Sequence, residues 1–201
     1  MAFSFGEFLR KVVHVAGVLA VPILYQLGAG KTAALFFLLA ASLYVYPLVV
    51  SALDATPLGR FLRALRGVLD FLERKGHRRY YGAISFFVSI GVIVLLFPAK
   101  IASLSIIVLC VGDGISTIVG RALGKNRLFH NRSKSWEGSV SGFVASTAAC
   151  TLITNLQMAL FASFVGMLIE SFDTKINDNF SVPLVVGVTS YLVSYAGWLA
   201  V

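Results

Sequence analysis

The chain has 201 residues, of which 58% are hydrophobic and only 13% are charged, and its formal net charge is +8 at pH 7. Soluble domains of this length are usually about 45–50% apolar and about 25% charged. The composition therefore excludes an ordinary soluble domain and indicates an integral membrane protein. Its two cysteines, Cys110 and Cys150, lie in apolar stretches without metal-ligand or CxxC spacing, so no disulfide framework is expected.

Seven apolar stretches approach or reach the roughly 17–25 residues that a membrane-spanning helix needs. In chain order they cover residues 12–29, 32–51, 80–98, 101–119, 138–155, 157–171 and 181–200. The sixth is short and is weakly separated from the fifth around Asn155 and Gln157, so six spans are also compatible with the pattern. We predict an all-α, single-domain bundle over residues 1–201 with about seven transmembrane helices.

The positions of the cations predict the orientation of the bundle, because cytoplasmic loops are enriched in Lys and Arg. With seven spans and the N-terminus inside, all but two of the 17 Lys and Arg residues fall on the inside; the exceptions are Lys31 and Lys100. The N-terminus is therefore expected inside and the C-terminus outside. All nine Asp and Glu residues also fall inside, so we expect a multi-pass protein with its active site on the cytoplasmic face.

The first span begins with Arg10, Lys11 and His14. Cations before an apolar run resemble a signal peptide, but a convincing cleavage site is lacking, so we expect a retained first helix. Lys11 and His14 are three residues apart and share one face of a helix. The two cations are compatible with a simple orientation signal, and the histidine with a packed, hydrogen-bonded side chain.

The inside loop of residues 54–79 has apolar residues at helical spacing, with arginines on the other faces. The apolar positions are Leu58, Phe61, Leu62, Leu65, Leu69 and Leu72. This pattern predicts an amphipathic helix over about residues 57–75 that lies in the membrane interface, with its cations near the lipid head groups. A surface helix packed on the bundle is an alternative, and the two interpretations are compatible.

The most informative polar residue is Asp113, between Gly112 and Gly114 near the end of the fourth predicted span. A carboxylate there is costly and usually faces a cavity, a partner or a metal, and flanking glycines permit close approach of a phosphate. Mg²⁺ is typically held by one or two carboxylates plus substrate phosphates. We therefore favour a metal ligand, and a structural Asp paired with a neighbouring Arg is the alternative.

Two groups of cations and glycines follow Asp113. They are Gly120, Arg121, Gly124 and Lys125, and then Lys134, Glu137 and Gly138. Such cations can neutralise phosphate oxygens, and the glycines allow tight curvature. Ser133 or Ser135 could cap the next helix, whose N-terminal amides favour an anion. We predict a nucleotide-binding loop over residues 112–138; alone, each group would also fit a basic flank or a helix cap.

A last polar group lies before the seventh span. Asp178 and Asn179, with Glu170 and Asp173, place carboxylates where an alcohol could be deprotonated or a second metal held. A solvated acidic loop is the alternative.

Four motifs in this order resemble the CTP-dependent polyprenol kinase family, which includes dolichol kinase, phytol kinase and the CTP-using diacylglycerol kinase of yeast. They are RKVVH at 10–14, GDGISTIVGRALGK at 112–125, KSWEG at 134–138 and DNFSVPLV at 178–185. The family looks distantly related to phosphatidate cytidylyltransferases. This chain is similar to the family's minimal core, without the additional N-terminal spans of long dolichol kinases.

The resemblance implies an enzyme that transfers the γ-phosphate of CTP to a polyprenol- or dolichol-type lipid alcohol, with Mg²⁺ on the triphosphate. It implies three catalytic residues, Asp113, Glu137 and Asp178. Our hypothesis is that Asp113, with Glu137 or Asp178, holds the metal, and that Asp178 is the first choice of base and Glu137 the second. The implied nucleotide-binding residues are Arg10, Lys11, Gly112, Gly114, Gly120, Arg121, Gly124, Lys125, Lys134, Gly138 and Asn179.

Two other functions fit the sequence. The first is cytidylyl transfer, which gives a CDP-lipid and pyrophosphate. The second is a membrane transporter for an anionic solute, which is disfavoured because the ionisable residues gather on one side and no internal repeat is visible. No nucleic-acid partner is expected.

Overall fold

The computed structural model describes residues 5–72, 80–173 and 176–200, and within these ranges it contains helices and no strand. The helices are α1 Phe5–Ala16, α2 Ala20–Leu27, α3 Ala29–Ala52, α4 Pro57–Leu72, α5 Tyr81–Leu96, α6 Ala99–Ile107, α7 Gly114–Ala122, α8 Trp136–Cys150, α9 Leu156–Ser171 and α10 Asp178–Tyr195. A 3-10 turn, Gly17–Leu19, joins α1 to α2, and a π-helical segment, Val108–Asp113, joins α6 to α7.

Three helical segments are long and apolar enough to cross a membrane. They are Phe5–Leu27, Ala29–Ala52 and Ala99–Ala122. Two further apolar helices, α5 and α9, are shorter. The predicted all-α membrane architecture is therefore confirmed. Every predicted apolar stretch coincides with a helical segment, and the fifth and sixth are separate helices, but the number of spans and the orientation stay predictions.

The segment formed by α6, the π-helical turn and α7 is the centre of the bundle. In this segment 78% of the apolar window is buried inside the protein, compared with 11% for Phe5–Leu27 and 22% for α3. Leu104, Ile106 and Leu109 expose no surface at all, and α5, α8, α9 and α10 pack around them. A polar side chain on this segment must therefore find its partners within the protein.

Asp113 ends the π-helical turn of this central segment. Such wide turns are rare and recur at functional sites. Because α7 continues for nine residues beyond Asp113, the carboxylate lies roughly 13 Å from the end of the helix at 1.5 Å per residue. The sequence pattern predicts a shorter distance between Asp113 and the end of the helix. The predicted span stops at residue 119, whereas α7 continues to Ala122.

The helices α7 and α8 cross at a pair of glycines. A Cβ atom on Gly138 would lie 2.5 Å from the carbonyl oxygen of Ser116 and 2.9 Å from the Cα of Gly120. One turn further along α8, a Cβ on Gly142 would lie 2.6 Å from the carbonyl oxygen of Gly112. Small residues let helix backbones approach closely in membrane proteins. Gly112, Gly120 and Gly138, predicted for phosphate binding, thus lie at helix crossings.

The predicted amphipathic helix is α4, of which residues 73–75 lie outside the described part of the chain. The Tyr46 hydroxyl donates a hydrogen bond to the carbonyl oxygen of Leu62 at 2.5 Å, which fixes one face of α4 to α3. The side chains of Leu58, Phe61, Leu65, Val68 and Phe71 are exposed. The helix therefore packs on the bundle and also offers an apolar surface. Its location in the membrane interface stays a prediction.

Replacing Gly138 by Ala should destabilise the protein. The new methyl group would meet backbone atoms that cannot move cheaply, and such overpacking typically costs about 1–3 kcal/mol. A lowering of the melting temperature by several degrees is expected in a thermal unfolding assay in detergent. Gly67→Ala is the matched control, because its Cβ would point into open space on α4. An unchanged melting temperature for Gly138→Ala would contradict the close crossing.

Candidate active site

Asp113 is the centre of the candidate site and is only 5% exposed. The Lys11 ammonium donates a hydrogen bond to Asp113 Oδ2 at 2.6 Å. His14 Nε2 lies 3.2 Å from the same oxygen. Both partners come from one face of α1, so this helix supplies the counter-charge of Lys11 and the imidazole of His14 to a buried carboxylate.

His14 also joins α1 to the π-helical turn. Its Nε2 lies 3.1 Å from the carbonyl oxygen of Leu109, and its ring packs against Phe86 with the centroids 4.9 Å apart. Because Leu109 O and Asp113 Oδ2 are both acceptors, the Nε2 atom must carry a proton. The histidine is packed and hydrogen-bonded, as one interpretation of the sequence held, but it also faces the central carboxylate.

A second buried ion pair is formed by Lys134 and Glu170. Glu170, the penultimate residue of α9, is 3% exposed, and Lys134 contacts its Oε1 atom. Its Oε2 atom is buried and has no hydrogen-bond partner among the described residues. A buried carboxylate oxygen without a donor is unfavourable, so this atom marks a place where a ligand could bind.

The chain before α8 is folded back to place Lys134. The Leu128 amide donates to the carbonyl of Lys134 at 3.1 Å, and the Trp136 amide donates to the carbonyl of Asn126 at 2.9 Å. Ser135 then caps α8, since its Oγ accepts from the Gly138 amide at 3.2 Å. The predicted cap is therefore present, and it directs Lys134 toward the end of α9.

The two ion pairs belong to one polar cluster. Lys134 interacts electrostatically with Glu170, Asp113 and Asp178. Burial alone would lower the pKa of Lys134, but Glu170 and then Asp113 outweigh it, so its pKa is raised and the ammonium stays charged. We define the polar cluster as Lys11, His14, Asp113, Lys134, Glu170 and Asp178. Its residues come from five separate parts of the chain. Asp113 and Lys134 are therefore linked electrostatically, and their joint role in a nucleotide site stays a prediction.

The cluster lies at one end of the bundle. Lys134 directly precedes α8, Glu170 lies in the last turn of α9, and Asp178 is the first residue of α10. Further along α7, Arg121 approaches Glu7 of α1 at 3.4 Å, and Arg10 approaches the same carboxylate at 3.8 Å. We call Arg10, Arg121 and the exposed Lys125 the basic rim.

Glu137 takes a different place from the one predicted. Its carboxylate accepts hydrogen bonds from Asn126 N at 3.0 Å and Asn126 Nδ2 at 2.8 Å. The amide of Glu137 itself, and then those of Asn126 and Lys125, lower its pKa. The carboxylate thus closes the loop onto the first turn of α8, and no contact among the described residues joins it to Asp113.

Three other predicted residues have structural contacts. The Asn179 amide donates to the carbonyl of Gly82 at 2.9 Å and ties α10 to α5. A Cβ on Gly114 would lie 2.3 Å from Val15 Cγ2, and one on Gly124 would lie 2.5 Å from Ser135 Oγ. These contacts explain the residues as packing and connecting groups, and a role in nucleotide binding stays a prediction.

Glu170 and His14 belong to the polar cluster, although the sequence did not predict them as site residues. Both carry a signal that points to function, because an ionisable residue within an apolar helix is costly and usually has a specific partner. Glu170 was grouped with the acidic loop that follows it, and His14 was interpreted as a packed side chain. Neither pattern shows that α1 and the end of α9 contribute residues to the same cluster.

A magnesium ion fits the donor set at Asp113. No group of three or more His, Cys, Asp or Glu residues is arranged for a metal in the ranges that the structure covers, but a cation that arrives on a nucleotide needs only one or two carboxylates. Asp113 Oδ2 holds Lys11 and His14, whereas its Oδ1 has a single described contact, with Thr117 Oγ1 at 3.3 Å. That oxygen is available to a cation.

Comparison with characterised proteins shows relatives over most of the chain. Phytol kinase 1, chloroplastic, of Arabidopsis thaliana is 28% identical over 208 residues, which cover 91% of this chain and 65% of the relative. Farnesol kinase, chloroplastic, of Arabidopsis thaliana is 27% identical over 93% of this chain and 66% of its own length. CTP-dependent diacylglycerol kinase 1 of Schizosaccharomyces pombe is 25% identical over 66% of this chain and 70% of its own length.

These relatives confirm the resemblance to the CTP-dependent polyprenol kinase family. The chain spans slightly less than two thirds of the length of the two Arabidopsis relatives. No protein-family model and no solved structure matches the chain.

The Lys11–Asp113 pair should show strong energetic coupling. Removing one partner leaves a buried charge without compensation, which typically costs about 3–5 kcal/mol. Lys11→Met and Asp113→Asn should each lower the melting temperature, and the double variant should be destabilised by less than the sum. A double-mutant cycle from unfolding in detergent measures this coupling, expected at about 0.5–3 kcal/mol. Simple additivity would show that the two side chains do not interact.

Proposed function

We propose that this chain, a homologue of the CTP-dependent polyprenol kinases over about nine tenths of its length, transfers the γ-phosphate of CTP to the hydroxyl of a lipid alcohol. The observation that carries the proposal is the polar cluster, in which partly buried lysines and partly or fully buried carboxylates from distant segments gather at one end of an apolar bundle. Such a location suits a reaction between a water-soluble phosphate donor and an acceptor dissolved in the membrane.

The names of the relatives support the two substrates. The S. pombe relative is named for its dependence on CTP, and the relatives from Arabidopsis are named for phytol and farnesol. Phytol and farnesol are isoprenoid alcohols, so we propose an isoprenoid alcohol of the polyprenol type as the acceptor.

Phosphoryl transfer depends mainly on positioning and on neutralising negative charge. In the proposed complex Lys11 and Lys134 stabilise the phosphate oxygens, with the basic rim outside them. Three carboxylates of the cluster face these two lysines, so a bound triphosphate requires additional positive charge. Mg²⁺ on the triphosphate would supply it, and Asp113 Oδ1 would hold the ion, with Asp178 or Glu137 as a second ligand.

The proposed orientation places the polar cluster on the cytoplasmic side, with seven spans, the N-terminus inside and the C-terminus outside. The cation distribution supports this orientation. The cluster then opens to the compartment that contains CTP.

Labelled CTP tests the reaction directly. Incubation of the purified protein with an isoprenoid alcohol and γ-labelled CTP should transfer the label to the lipid, whereas α-labelled CTP should not. Lipid labelled from the α-position would indicate cytidylyl transfer instead. Saturable uptake of an anionic solute into proteoliposomes without nucleotide consumption would indicate a transporter.

Asp113→Asn should lower the rate of this transfer by about 10²–10³-fold, the usual effect of losing one well-placed charged contact. The variant must still insert into membranes, which is checked by extraction and thermal unfolding. Asp54→Asn is the control, because that carboxylate is 62% exposed and pairs with Arg63. Near wild-type activity of Asp113→Asn would remove this residue from the mechanism.

A further inference from the structure

We infer that Glu170 binds the hydroxyl group of the acceptor alcohol through Oε2 and accepts its proton during transfer. This inference rests on the proposed kinase function and assigns a role that the sequence gave to Asp178. It begins from the unpartnered oxygen. Among the described residues Glu170 Oε2 has no donor, although the residue is 97% buried, being only 3% exposed.

The position of Glu170 suits an alcohol better than a nucleotide. It lies in the last turn of α9, an otherwise apolar helix. A lipid alcohol keeps its hydrocarbon chain within the bilayer and its hydroxyl at the boundary, and the predicted span of residues 157–171 places this turn at that boundary. The hydroxyl has one O–H donor, which would form a hydrogen bond with Glu170 Oε2.

The ion pair with Lys134 places this hydroxyl beside the phosphate site. Lys134 contacts Glu170 Oε1 and acts electrostatically on Asp113. One ammonium group thus contacts the carboxylate that would bind the alcohol and acts electrostatically on the carboxylate that would bind the metal. An alcohol on Oε2 is therefore adjacent to phosphate oxygens held by Lys134.

The proposed step conserves all atoms and charges. The alcohol oxygen forms a bond to the γ-phosphorus, and the bond from that phosphorus to the β,γ-bridging oxygen breaks. The hydroxyl proton moves to Glu170 Oε2, and CDP leaves with the electron pair of the broken bond.

Asp178 is less suited to this role. It is only partly buried and is the first residue of α10. It also interacts with Lys134, so it can assist in holding the metal or the phosphates.

The test compares Glu170→Gln with the wild type in the γ-label assay. Glutamine keeps the size of the side chain and an oxygen acceptor for Lys134, but it cannot take a proton. We expect kcat to fall by about 10²–10⁴-fold, the usual contribution of general base catalysis, with the KM for CTP changed less than about threefold. Glu170→Asp should retain more activity than Glu170→Gln. Ser163→Ala, a buried polar position on the same helix, is the matched control and should behave as the wild type.

Binding of the acceptor without CTP, where no transfer occurs, provides a readout in the wild type itself. There an isoprenoid alcohol should bind more tightly than its methyl ether, because the ether has no proton to donate to Oε2. Glu170→Gln should abolish this preference, since its amide can donate to either oxygen.

Four results would overturn the inference while leaving the kinase function intact. They are a wild-type kcat in Glu170→Gln, a loss confined to the KM for CTP, restoration of the rate by excess Mg²⁺, and equal affinity of the wild type for alcohol and ether. A wild type without lipid phosphorylation from γ-labelled CTP would instead refute the proposed function itself.

Discussion

The pairing of Asp113 with Lys11 and His14 is the interaction on which the rest of the site depends. A carboxylate on the most buried segment of the bundle has little contact with water, so it needs the counter-charge that Lys11 of α1 supplies. This requirement fixes α1 against the π-helical turn, and the Leu109 carbonyl adds a second contact through His14. Asp113 also acts electrostatically on Lys134 and, together with the stronger effect of Glu170, keeps this ammonium group charged. Residues of α1 and of the segment before α8 therefore act together on this one buried carboxylate.

Close glycine contacts make this arrangement possible. The α7–α8 crossing at Gly120 and Gly138 brings the start of α8 against the central helix, and Lys134 follows because it lies just before that start. The glycines contribute to the site by setting the distance between two helices. A direct approach of their backbone to a phosphate is not needed to explain why each position excludes a side chain.

The helices were predictable, because the length of an apolar stretch is a property of a single segment. Asp113 and Lys134 were also predictable, since isolated charges at membrane boundaries need partners. The partners themselves were not. The resemblance implied a metal ligand at Glu137, yet the amides of Lys125 and Asn126 interact with its carboxylate. Glu170 enters the site because α9 ends beside Lys134, which only the three-dimensional packing of α8 and α9 determines.

The most direct test of the account is lysine protection by CTP. An amine reagent that cannot cross membranes is applied from the cytoplasmic side, and modification is followed by mass spectrometry. The account predicts that CTP with Mg²⁺ protects Lys11 and Lys134 together, while Lys31 and Lys100 remain unmodified with or without nucleotide. Protection of one lysine without the other, or modification of Lys31 and Lys100 from that side, would contradict a single nucleotide site at this end of the bundle.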